Sequence, residues 1–270
     1  VIQLVALDLD GTLIDDVKGK SSARVRQAIS AAQARGVVVT LATGRMFEFT
    51  LAYACDLNIT APLICYQGGL IRSPNSELPL YRATMDPALV REVLEWRDRH
   101  DRHLILYADD RVFLDDRRHP QGFYREMLGD RLVWLDDISS ALEQHKPIKF
   151  LVFVEPHETN HVEAELRQLF GTQMEVTRSH AQIVEGNGAG VSKGDALRRL
   201  AAHLGVPQAQ VMAIGDQDND ASMIAWAGVG VAMGNGSPAT KAVADWVAPP
   251  VTEDGAAVAI ERFVLNAPFP

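Results

Sequence analysis

Val5-Ala6-Leu7-Asp8-Leu9-Asp10-Gly11-Thr12 is the stretch on which the fold turns. Its three leading apolar residues show no polar alternation, which predicts a short strand buried on both faces. The strand stops at two aspartates and a glycine. Asp8 and Asp10 stand two apart on extended chain, so their side chains leave on the same side. Ligands of open α/β sheets bind at the carboxyl ends of strands, which makes this pair the first candidate for chemistry.

Working outward, a helix is expected over 23–35, with Ser21 or Ser22 as its cap and Gly36 past its end. The β-branched run 37–41 predicts a second buried strand, ending in Ala42-Thr43-Gly44-Arg45. A helix over 46–56 and a strand over 63–66, broken by Gly68-Gly69, follow. The rhythm resumes near the C-terminus. A helix starts after Ser192, a strand over 211–214 ends in Gly215-Asp216, and a strand over 230–233 ends in Gly234-Asn235-Gly236. Short helices are expected over 221–227, from Ser237-Pro238, and over 255–265. Strands alternating with helices predict a parallel sheet covered on both faces.

The middle differs. Strands come there in pairs, 104–108 with 112–115 across an Asp109-Asp110 turn, and 175–178 with 182–185, with helices over 87–101 and 157–170. The expected fold class is therefore α/β: a Rossmann-like parallel-sheet core, residues 1–82 and 186–270, with an inserted α+β cap domain, residues 83–185. Gly186-Asn187-Gly188-Ala189-Gly190 reads as the hinge returning the chain to the core.

Composition narrows the function. The 270 residues carry a formal net charge of −9, which disfavours nucleic acid or an anionic membrane as partner. No apolar run approaches a membrane span, and the N-terminus lacks the basic region of a signal peptide. Cys55 and Cys65 both lie in apolar stretches, so buried thiols and a reducing cytoplasm are expected, not a disulfide.

The chemistry-bearing residues sit at predicted strand ends or helix starts: Asp8 and Asp10, Thr43, Lys193, and Asp216 with Asn219 and Asp220. Such a fold gathers them at one rim. Together they suit a phosphate ester. Mg²⁺ takes hard oxygen ligands, which Asp8 and Asp216 can supply. A carboxylate can attack phosphorus and form an aspartyl-phosphate, with Asp8 as nucleophile. Asp10 then serves as general acid to the leaving alkoxide and general base to water. Thr43 can bind a phosphate oxygen, Gly44 lets the main chain approach, and Lys193 adds positive charge where the transition state gathers negative charge. Arg45 fits a substrate contact and a helix-start salt bridge equally well. Asp220 reads as the first-turn acid of a helix.

Asp8-Leu9-Asp10-Gly11-Thr12, Thr43-Gly44-Arg45, Ser192-Lys193-Gly194 and Gly215-Asp216-Gln217-Asp218-Asn219-Asp220 occur in the order found in the haloacid dehalogenase-like hydrolase superfamily. The chain resembles its Cof-type sugar-phosphatase subfamily, with an α/β cap, over essentially its whole length. The resemblance implies Mg²⁺ held by the Asp8 carboxylate, the Asp10 main-chain carbonyl and Asp216. It implies phosphate-side or outer roles for Asn219 and Asp220, and a small phosphorylated metabolite, sugar phosphates first, as substrate. A monomer or small homo-oligomer fits. One departure is Gln67-Gly68-Gly69, where the subfamily usually shows Asn-Gly-Ala.

Two patterns point elsewhere. His157-Glu158-Thr159-Asn160-His161 matches a zinc-protease motif, but both histidines fall off the stripe Val162, Leu166 and Leu169 that predicts the helix's buried face. They read as a solvated helix start. The glycines before Ser192-Lys193 do not make a P-loop, because the lysine precedes Gly194. The rival functions are a phosphomutase of the same superfamily, a non-catalytic phospho-ligand sensor and a zinc peptidase.

Overall fold

The computed structural model describes residues 1–15, 19–128, 131–180 and 182–265; the terminal Ala267-Pro268-Phe269-Pro270, to which the sequence assigns no role, lies outside them. The chain divides into two units, Val1–Arg82 with Ser192–Pro270, and Ala83–Val191.

In the first unit β1 (Leu4–Leu7) is buried along its whole length. Helix α1 (Ala23–Ala34) starts at Ser22, whose hydroxyl accepts the Val25 amide at 3.1 Å. Strand β2 (Val38–Leu41) runs parallel to β1, and α2 (Phe47–Asp56) follows the Thr43-Gly44-Arg45 turn. Cys65 is buried as expected, but Cys55 is exposed on α2, and neither forms a disulfide. Three short strands, β3 (Leu63–Cys65), β4 (Leu70–Arg72) and β5 (Tyr81–Arg82), then form an antiparallel sheet. The strand expected to reach Tyr66 ends at Cys65, because Tyr66 turns left-handed with φ 53°.

In the second unit α3 (Pro87–Arg99) is capped by Asp86. Strands β6 (His103–Ala108) and β7 (Arg111–Leu114) turn on Asp109 and Asp110, at φ 45° and 62°, the two left-handed positions a two-residue hairpin requires. Helix α4 (Gln121–Leu128), β8 (Leu132–Trp134), β9 (Pro147–Phe153), α5 (Thr159–Phe170), β10 (Met174–His180) and β11 (Ile183–Gly188) complete it. The sheet runs β10-β11-β9-β6-β7-β8. Val90, Val93 and Trp96 of α3 and Val162 and Leu166 of α5 share its core with Leu104, Leu106, Phe150, Val152 and Val184.

Three expectations change here. The buried stripe of α5 is Thr159, Val162, Leu166 and Phe170, while Leu169 is 49% exposed. The true stripe follows the helical period from Thr159 onward. Gly186 and Gly188 are not a hinge but part of β11, paired with Val176 and Met174 of β10. A Cβ on Gly186 would lie 2.3 Å from the Phe150 ring, so the glycine serves packing inside the sheet. The unit boundary accordingly falls at Val191 and Ser192.

The chain returns to the first unit through α6 (Lys193–Leu204), capped by the Ser192 hydroxyl. Then come β12 (Val211–Gly215), α7 (Ala221–Trp226), β13 (Val229–Ala232), α8 (Pro238–Val243), β14 (Trp246–Val247) and α9 (Gly255–Phe263). The sheet runs β14-β13-β12-β1-β2, parallel throughout. Leu4 pairs with Val38 on one side and Val211 on the other. The strand order therefore reverses at β1, and Asp8, Thr43 and Asp216 follow three adjacent strands at their carboxyl ends. That is the switch-point geometry at which such sheets bind ligands. Among the described residues no helix is long and apolar enough to cross a membrane.

Candidate active site

Lys193, the first residue of α6, is 1% exposed. Its Nζ lies 2.6 Å from Asp8 Oδ1 and 2.5 Å from Asp220 Oδ1. The second oxygen of Asp220 accepts the main-chain amides of Asp216 at 2.9 Å and Gln217 at 3.1 Å. Asp220 thus does more than cap a turn; it also fixes the ammonium that faces Asp8. Asp216 accepts the Thr12 hydroxyl at 3.3 Å and Gln217 Nε2 at 2.9 Å. Carboxylate oxygens of Asp8, Asp216 and Asp220 lie within 4.8 Å of one another, and all three residues are buried.

Three buried carboxylates face one ammonium. Burial, reinforced by Asp220, raises the Asp8 carboxyl well above its usual range, against the opposing pull of Lys193. Burial and Asp220 push Asp216 up to about 6. Burial pulls Lys193 down, but Asp220 and Asp8 outweigh it and hold the ammonium above its ordinary value. The excess of hard oxygen donors over positive charge suits a divalent cation. Gly11, at φ 79°, keeps the space beside them open: a Cβ there would sit 2.3 Å from Asp216 Oδ2.

Asp10 stands apart from this cluster. Its carboxylate forms a two-point pair with Arg45, Nε to Oδ2 at 2.8 Å and Nη2 to Oδ1 at 2.5 Å. Arg45 also reaches the Tyr53 hydroxyl at 3.3 Å, with its guanidinium 5.2 Å from that ring's centre. Of the two readings of Arg45, the structure shows the salt bridge at the start of α2, with Asp10 as its partner. Thr43 is buried, and its hydroxyl accepts the Arg45 amide at 3.2 Å. A Cβ on Gly44 would meet Gln67 Nε2 at 2.4 Å. Asn219 Nδ2 donates to Gln67 Oε1 at 2.9 Å.

Four further residues enter the site. Thr12 and Gln217 hold Asp216, and Gln67 holds Asn219. Asn235 donates to Gly11 O at 2.8 Å and accepts the Val251 amide at 2.8 Å, tying the two loops beside Asp216. Thr12 and Gln217 lie within the quoted motifs and Asn235 at the end of a predicted strand, and those positions were the available signal. His157 and His161 are exposed, and the only group of three or more metal-ligating side chains among the described residues is the aspartate cluster.

A buried cluster of aspartates and one lysine, gathered from the ends of adjacent parallel strands, defines a class of hydrolase that works on anionic groups. A family model for haloacid dehalogenase-like hydrolases matches residues 5–260, and the chain belongs to that family, in its Cof-type phosphatase branch. The chain is 32% identical over 265 residues to the 5-amino-6-(5-phospho-D-ribitylamino)uracil phosphatase YcsE of Bacillus subtilis, covering 98% of this chain and 96% of that protein. It is 30% identical to the HMP-PP phosphatase of Cronobacter sakazakii, covering 87% and 85% of the two. Among solved structures, a haloacid dehalogenase-like hydrolase from Bacteroides thetaiotaomicron superposes with a TM-score of 0.82 at 28% identity, covering 97% of this chain and 99% of that one.

Proposed function

We propose that this enzyme hydrolyses phosphate monoesters of small metabolites, sugar phosphates favoured, through an aspartyl-phosphate on Asp8. The observation that carries the proposal is the Asp8–Lys193–Asp220 chain beside Asp216, in which acid outnumbers base. Mg²⁺ held by Asp8, Asp216 and the Asp10 carbonyl would neutralise the cluster and draw in a phosphoryl group.

Asp8 attacks phosphorus, and the bond from phosphorus to the ester oxygen breaks. Lys193 lies against the nucleophile and offsets charge on the equatorial oxygens. Asp10 gives its proton to the leaving alkoxide, then takes one from the water that attacks phosphorus and releases Asp8. Its pairing with Arg45 matches the carboxylate form used in the water step, so the acid step requires Asp10 to leave Arg45. Thr43 and Asn219 are assigned to the phosphoryl group, and the unit 83–191 to substrate selection.

The test is phosphate release from a panel of sugar phosphates, nucleotides and cofactor phosphates, with Mg²⁺ or chelator. The compound for which the Bacillus subtilis relative is named belongs at its head. Metal-dependent release that falls by several orders of magnitude in Asp8→Asn is the expected result. An unimpaired Asp8→Asn variant removes Asp8 as nucleophile.

A further inference from the structure

We propose that Gln67 is a positioning residue for the phosphoryl group, acting through the side chain of Asn219; this rests on the phosphatase reading above. Three consecutive residues after β3 take positive φ: Tyr66 at 53°, Gln67 at 58° and Gly68 at 103°. For two non-glycine residues this is strained, and such strain persists only where the surroundings over-determine it. They do so here. The Tyr66 amide donates to Arg45 O at 3.0 Å and the Gln67 amide to Thr43 O at 3.1 Å. A Cβ on Gly68 would lie 2.3 Å from Ser192 O, so the loop also lies flush against the start of α6 and Lys193.

The product of this strain is a buried amide, 2% exposed, set beside Gly44 and bonded to Asn219. Gln67 thereby links the Thr43-Gly44 turn to the Asp216–Asp220 turn, two loops that must both meet one phosphoryl group. Commitment of Asn219 Nδ2 to Gln67 leaves Asn219 Oδ1 buried with no hydrogen-bond partner among the described residues. A buried acceptor without a donor is unfavourable until a ligand supplies one. A phosphoryl group that retains one proton carries the required O–H.

The experiment is a double-mutant cycle read by calorimetric binding of inorganic phosphate to the full chain in Mg²⁺. Gln67→Met keeps length and volume while removing the amide, and Gln67→Leu serves as a second apolar variant should Met fail to fold. Gln67→Met is expected to weaken phosphate about fivefold and Asn219→Ala about tenfold. The double variant is then no weaker than Asn219→Ala alone. Effects that multiply, a Gln67→Met variant that binds as wild type does, or a wild type that binds no phosphate each overturn the proposal. Phosphate binding with the expected coupling but no ester turnover would fail the phosphatase reading and leave Gln67 in place. Ester turnover with multiplying effects would fail Gln67 alone.

Discussion

Two of the buried charge clusters, one in each unit, solve the problem of burial differently. In the second unit Lys149 of β9 and Glu185 of β11 pair at 2.6 Å, each side chain 4% exposed, one charge against one. Lys149 also stands 5.0 Å from the centre of the Tyr107 ring, whose hydroxyl burial and Glu185 hold above its ordinary value. In the first unit three carboxylates face the single ammonium of Lys193. The balanced pair is complete within the chain. The unbalanced cluster raises the carboxyl pKa values of Asp8 and Asp216, and bound protons or an added cation would each reduce its excess negative charge. Charge arithmetic thus separates a structural pair from a site built to receive something.

Removing Lys193 tests that contrast most severely. Lys193→Met is expected to lower turnover by about 10²- to 10³-fold, because the one ammonium beside Asp8 is lost. Wild-type turnover in that variant would break the comparison outright. For the balanced pair the effect is on stability. Lys149→Met removes the ammonium paired with the buried Glu185 and is expected to destabilise by about 3–5 kcal/mol in denaturant titration. Lys149→Met with Glu185→Leu recovers most of that loss, within about 1 kcal/mol of wild type, because both charges leave together. A double variant as unstable as the single one would show that the pair has a further role.

Cation binding gives a smaller effect with a defined sign. Asp216 binds its proton more tightly folded than unfolded, so its contribution to stability is present below the ordinary carboxylate value and lost as pH rises to about 6. Above that pH the Asp216 carboxylate is free of its proton and can accept Mg²⁺. Saturating Mg²⁺ is expected to raise Tm by roughly 5 °C at pH 7.5. At pH 5 protons compete for Asp216 and the shift shrinks. An equal shift at both values would detach metal binding from this carboxylate. The smallest effect belongs to His157→Ala, expected to change stability by less than about 0.5 kcal/mol, with turnover and bound metal unaltered.

Much of this was legible in the chain. The parallel strands β1 and β12 read as unbroken apolar runs and β2 as a β-branched one, because both their faces are covered, and Ser22, Ser192 and Ser237 announce helices they do cap. The motif residues were legible because Asp8, Thr43 and Asp216 stand where a buried run stops and Lys193 where a capped helix starts. Strand β9, central to the second sheet, gave no clear signal. Lys149 interrupts its apolar run, and the partner that makes that lysine tolerable, Glu185, lies on β11. Gly186 looked like a hinge because nothing local reveals the Phe150 ring lying against it. Gln67 stood out in the sequence only as a departure from the subfamily's Asn-Gly-Ala, since its left-handed backbone is imposed by Thr43, Arg45 and Ser192, all distant along the chain. Contacts between residues far apart are what periodicity cannot report.

The position of β1 bears on how the molecule comes into being. Leu4 and Leu7 wait for Val211 and Ile214, whose codons are read long after their own. During synthesis β1 can pair only with β2, and its other edge stays open while the whole of 83–191 is made. That second unit draws its sheet from consecutive chain and can form while the first is still half a sheet. An apolar strand with one bare edge is a template for wrong partners. The nascent chain is therefore most exposed to aggregation between the emergence of β2 and the emergence of β12, and a ribosome-bound chaperone has most to offer in that interval.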